Sequence, residues 1–79
     1  MSEFDWKLAI ENAVTQSEGM VTTSTDKEIS FKMRVGTYKV DFGGTTVIFS
    51  KADGTFISRF PKLPPIFAAV IKTIMIRLK

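Results

Sequence analysis

The chain has 79 residues, a net charge of +3 at pH 7, an apolar fraction of 44% and neither cysteine nor histidine. That length makes residues 1–79 one domain with a small core, burying roughly 60% of its unfolded surface, and that apolar fraction argues against disorder. Disulfides and thiolate chemistry are excluded, and the commonest general base and metal ligand is missing. The charge is unevenly spread. Residues 1–28 carry Lys7 and Lys27 against Glu3, Asp5, Glu11, Glu18, Asp26 and Glu28, a balance of −4. Residues 29–79 carry nine basic residues against Asp41 and Asp53, a balance of +7. Either the second half meets an anionic partner, or an acidic helix and a basic sheet attract each other.

Residues 2–18 are predicted to form an amphipathic helix. Trp6, Ala9, Ile10, Ala13 and Val14 recur at helical spacing on one face, with Trp6 expected as a core anchor. Ser2 is the expected N-cap, followed by Asp5, and Gly19 the expected stop. The start of the chain, acidic through Asp5, has no basic region or apolar run of a signal peptide, and a cytoplasmic location is expected. Residues 20–28 are ambiguous: Val21–Thr25 has strand-like β-branched residues but little to bury, and is either an edge strand turning at Asp26 and Lys27 or a loop.

Residues 29–60 read as a four-stranded antiparallel meander. Two-residue hairpins are expected at Gly36-Thr37 and Gly43-Gly44, and a four-residue one between Ser50 and Thr55. These turns place Val35 opposite Tyr38, Met33 opposite Val40 and Phe31 opposite Phe42. They also place Val40 opposite Val47, Tyr38 opposite Phe49 and Phe49 opposite Phe56, all on one apolar face. On the other face, Arg34 is expected opposite Lys39, Lys32 opposite Asp41, and Ile48 opposite Ile57. Pro61 ends the meander. Pro64 and Pro65 suit the first turn of a helix, residues 66–79, whose apolar positions nearly encircle it and which, at 14 residues and interrupted by charge, is too short to span a bilayer. The expected fold is α+β: a helix, four strands or five, and a helix, with both helices on the apolar sheet face.

Catalysis is not expected. Gly43-Gly44 is no phosphate loop, no histidine is present to activate a hydroxyl, and no acidic cluster has metal-ligand spacing. Asp41 reads as a cross-strand ion pair with Lys32, and Asp53 as a turn residue. No cofactor and no small-molecule substrate are implied. The open face, with Lys32, Arg34, Lys39 and Arg59 and with Lys62 extending it, suits phosphate; arginine grips phosphate bidentately. All strand aromatics are expected on the apolar face, so the contact would be to the backbone of a nucleic acid, RNA rather than DNA, without base stacking. The alternatives are a solvated face or peripheral binding to an anionic membrane. Surplus apolar surface on the C-terminal helix points to an interface at Phe67, Ile71 and Ile76, as in a homodimer or an inhibitor of another protein.

The order helix, basic antiparallel sheet, helix resembles the small Alu-RNA-binding subunits of the signal recognition particle. Residues 38–53, YKVDFGGTTVIFSKAD, look like their central strands and the turn that follows, and Trp6 in the first helix is a further likeness. That resemblance implies RNA-backbone binding through the open face and pairing with a similar subunit. The C-terminal domain of some protein kinases is similar too, with a helix, four strands and a helix, and often binds acidic phospholipid. That likeness would implicate the same basic residues.

Overall fold

Asp5 opens the first helix. In the computed structural model, which describes residues 4–78, its carboxylate accepts the Leu8 N–H at 3.0 Å and caps α1, Trp6–Gln16. Ser2, the expected cap, lies outside the described residues. The helix stops by a two-bond motif. The Gly19 N–H donates to the Val14 carbonyl at 2.8 Å and the Glu18 N–H to the Thr15 carbonyl at 3.1 Å. The residue that turns left-handed is Glu18, φ 65°, and not Gly19. Gly19 is needed for a different reason. A Cβ there would lie 2.4 Å from Met33 Sδ and 2.8 Å from Val14 Cγ1.

Five strands follow in one antiparallel sheet, in the order of the chain: β1 Met20–Ser24, β2 Glu28–Met33, β3 Gly36–Asp41, β4 Thr46–Lys51 and β5 Phe56–Pro61. The ambiguous stretch is therefore an edge strand. Thr25 closes its turn: its Oγ1 accepts the Lys27 and Glu28 N–H groups, and its own N–H donates to the Glu28 carbonyl at 2.8 Å. The Ser24 hydroxyl donates to the Glu11 carboxylate at 2.7 Å and fastens this edge to α1.

The β2–β3 turn is Arg34-Val35 and not the expected Gly36-Thr37. Ile29 pairs with Val40, Phe31 with Tyr38 and Met33 with Gly36. The reason is ladder length. The observed register pairs all of β2 with all of β3, whereas the expected one would set Ile29 against Gly44. Gly36, at φ 156°, takes up a conformation that other residues avoid. Between β3 and β4, Val40 pairs with Phe49 and Tyr38 with Lys51, two residues away from expectation. Here Phe42 stays paired to β2, its N–H donating to the Lys27 carbonyl at 2.8 Å, so the connection lengthens. Asp41 Oδ1 accepts the Gly43 N–H at 3.0 Å and stabilises it. Both shifts are even in number, so the side chains within the paired strands keep their expected faces, while Arg34 and Val35 become turn residues and Val35 is exposed.

The last hairpin shifts by two residues along most of its length and by a single residue at its turn end. Val47 pairs with Phe60, Ile48 with Arg59 and Phe49 with Ser58, but Ser50 pairs with Phe56, leaving Ile57 as the extra residue of a bulge. The turn has Gly54 at φ 95° and a Lys51 N–H to Thr55 carbonyl bond of 2.8 Å. Asp53 Oδ1 accepts the Thr55 N–H at 2.8 Å, as its turn position implied, and hydrogen bonding from Thr55 holds the carboxyl below its usual range.

The second helix, α2, spans Pro64–Leu78; Lys79 lies outside the described residues. Both helices cover the apolar sheet face, α1 over β1 and β2 and α2 beside β5. The core runs through Ile10 and Val14 of α1, Ile29, Phe31, Val40, Val47, Phe49 and Phe60 of the sheet, and Phe67, Ile71 and Met75 of α2. No described polar or charged residue is buried with them.

The close approach at Gly19 gives a stability test. Gly19→Ala should destabilise the fold by about 1–3 kcal/mol, because Val14 is stiff at χ1 and cannot swing aside. A thermal melt should show a midpoint at least ~4 °C lower; an unchanged midpoint would mean that the helix end moves freely off β2.

Candidate functional site

The register sorts the open face into rows across the strands. One row runs Met20, Lys32, Thr37. The next runs Thr23, Ser30, Lys39, Ser50, Phe56. The third runs Glu28, Asp41, Ile48, Arg59. Each basic residue is thus one row further along than the last, and Lys32 on β2, Lys39 on β3 and Arg59 on β5 form a diagonal of positive charge. Strand spacing and rise put Lys32 and Lys39 roughly 8 Å apart at their Cα atoms and Lys39 and Arg59 roughly 12 Å. Glu28 and Asp41 occupy the corner beside the 42–45 connection.

Two expected pairings are corrected. Arg34 is not opposite Lys39, which lies between Ser30 and Ser50. Lys32 is not opposite Asp41, whose carboxylate serves its own turn. In both cases the longer β2–β3 ladder is the cause.

Two of the five expected phosphate contacts leave the face. Arg34 is in the β2–β3 turn and lines a recess with Ser17, Glu18 and Met33, at the C-terminal end of α1. Lys62 follows β5 toward the helices. Its Nζ lies 5.7 Å from the centre of the Trp6 ring and 5.9 Å from that of Phe42. Asp5 and Asp26 line the same recess, so this cation faces rings and carboxylates rather than the open sheet.

The bulge exchanges two side chains. Ile57, expected on the open face beside Ile48, is half-buried and packs against the core. Phe56, expected inside, is 62% exposed and ends the row through Lys39 and Ser50. The premise that every strand aromatic faces the helices therefore fails at Phe56. The sequence carried a faint signal of it. Phe56 and Ile57 are adjacent and both suit a core position, while Ser58 follows where the next inward residue was due.

The expected interface on α2 is also redistributed. Phe67 and Ile71 are buried within the chain's own core, at 4% and 7% exposure, while Ile76 is 72% exposed. The helix absorbs most of its apolar surface because it meets both β5 and α1. An open groove of about 470 Å³ remains between the helices, with Ala9 and Ala13 on one side and Ile71, Met75 and Ile76 on the other.

Among the described residues no three His, Cys, Asp or Glu side chains gather where they could hold a metal ion, and no helix is long and apolar enough to cross a membrane. No protein-family model, no curated protein and no solved structure matches the chain.

The burial of Phe67 separates folding from association. Its ring meets Trp6 edge-on at 5.3 Å and Phe60 at 6.2 Å. Phe67→Ala should cost about 3–5 kcal/mol, a large part of a small domain's stability, read as a fall in the urea midpoint. If the midpoint holds, Phe67 contributes little to its own fold and returns as an interface residue.

Proposed function

We propose that the chain is a non-enzymatic binding module that grips the backbone of RNA across its open sheet face. The observation that carries this reading is the diagonal of Lys32, Lys39 and Arg59, three cations on three strands of a face that no helix covers. The fold leaves that face free because both helices are engaged on the other. Hydroxyl groups of Ser30, Ser50 and Thr37 lie beside the cations in the same rows and offer hydrogen bonds to phosphate and sugar. Lysine and arginine on these strands would neutralise phosphates of a bound polyanion and release the counterions condensed on it, so affinity is expected to fall steeply with salt. The likeness to Alu-RNA-binding subunits points the same way.

A second reading has its own observation. Ile76 is exposed beside the groove between the helices, and an apolar groove next to an exposed isoleucine suits pairing with a second copy of the chain. The RNA face and this groove are on opposite sides of the sheet, so the two readings are compatible.

For the first reading, the double variant Lys39→Ser, Arg59→Ser should weaken RNA binding at least ~10-fold. It should also lower the slope of log affinity against log salt by about 1.4, since two phosphate contacts go. Arg34→Ser should change affinity little. Filter-binding titrations at several salt concentrations decide: an unaltered affinity and slope in the double variant would sink the proposal. For the second, Ile76→Lys should shift the population toward monomer in sedimentation across a wide concentration range. A wild-type chain that is monomeric throughout would remove the dimer.

A further inference from the structure

We infer that Phe56 is a base-stacking platform, so that the open face takes single-stranded RNA rather than a duplex. This deepens the reading of that face as RNA-binding and rests on it. The argument starts from the bulge. A regular β5 would turn Phe56 inward to join Phe49 and Phe60, which stack at 5.9 Å. The extra residue at Ile57 instead gives the core an aliphatic side chain and turns the aromatic outward, against the ordinary preference of a large apolar ring. The ring ends the row that contains Ser50 and Lys39. Arg59, on the same strand and the same face, is the last cation of the diagonal. A phosphate at Arg59 or Lys39 therefore brings a neighbouring base within reach of the Phe56 ring.

Bases in a duplex are already stacked and paired, so only an unpaired strand can supply one. Stacking on a ring tolerates any base and adds to the charge contacts without replacing them. Ser30 and Ser50 flank Lys39 in the same row, and their hydroxyls can both donate to and accept from a ribose 2′-OH, which selects RNA over DNA.

The test compares polymers with and without bases. Fluorescence anisotropy is measured with a labelled short oligoadenylate, against the matched RNA duplex, the matched DNA strand and inorganic polyphosphate as competitors. Phe56→Ala and Phe56→Leu are compared with the wild type, with thermal melts as a fold control. Leucine keeps the apolar bulk and removes the π-face. Both variants should bind the RNA strand about tenfold more weakly, with polyphosphate competition unchanged. The wild type should prefer the RNA strand to both the duplex and the DNA strand. If Phe56→Leu binds the RNA strand as the wild type does, while polyphosphate still competes, the stacking role is overturned and the backbone reading stands. If both polymers weaken together in both variants, Phe56 acts through the sheet and not by stacking. Equal binding of DNA overturns the assignment to RNA, and equal binding of the duplex overturns the single strand. If wild-type protein binds neither RNA nor polyphosphate, the backbone reading falls first and the inference with it.

Discussion

The packing of Phe67 is the contact on which the arrangement depends. The ring is carried by α2, reaches Phe60 of β5 on one side and Trp6 of α1 on the other, and Phe60 in turn stacks on Phe49 of β4. This run of rings is how a narrow sheet holds two helices at once. Burying such a ring contributes about 1.5–3 kcal/mol, and edge-to-face geometry adds about 0.5–1.5 kcal/mol per pair. In a domain this small, Phe60 links α2 to the sheet and Phe67 extends that link to α1. Because Phe67 draws α1 and α2 to the same face, the opposite face stays bare.

That division of labour extends to charge. The described core holds no polar or charged residue, so the fold does not rely on buried ion pairs, whose desolvation often outweighs their attraction. Lys32, Lys39 and Arg59 lie on the open face, where they contribute little to stability. On the proposed reading, affinity for a polyanion and stability of the fold would be governed by different residues, and salt would act mainly on the first.

How much of this was legible in the sequence follows from parity. Within the paired strands of residues 29–49, alternation identified the faces correctly apart from Arg34 and Val35, which became the turn, because both errors in the turns were even in number and a strand has a period of two. Gly36 attracted the first turn to itself, yet its conformation is needed just after the turn, and ladder length outweighed local turn preference. The bulge at Ile57 is an odd step and could not be absorbed; it moved Phe56 from core to surface. Positions next to element ends were the least legible for the candidate site. Arg34 became a turn residue and Lys62 was drawn to the Trp6 and Phe42 rings, while Lys32, Lys39 and Arg59, inside strands, kept their face. On α2, composition disclosed an apolar excess, but which part of it the chain covers depended on α1 lying alongside, a contact between the two ends of the sequence.

That contact also bears on how the chain reaches its native state. Each strand pairs only with its neighbours in sequence, so the meander can zip from hairpin to hairpin by closing short loops, the inexpensive kind. Trp6 and Phe67, by contrast, are brought together across nearly the whole chain. Meeting of the helices is thus the long-range closure, suited to be the late event in folding and the first to reverse. A chain caught before it would have a formed sheet with its apolar side uncovered, the state most exposed to sticking to other chains.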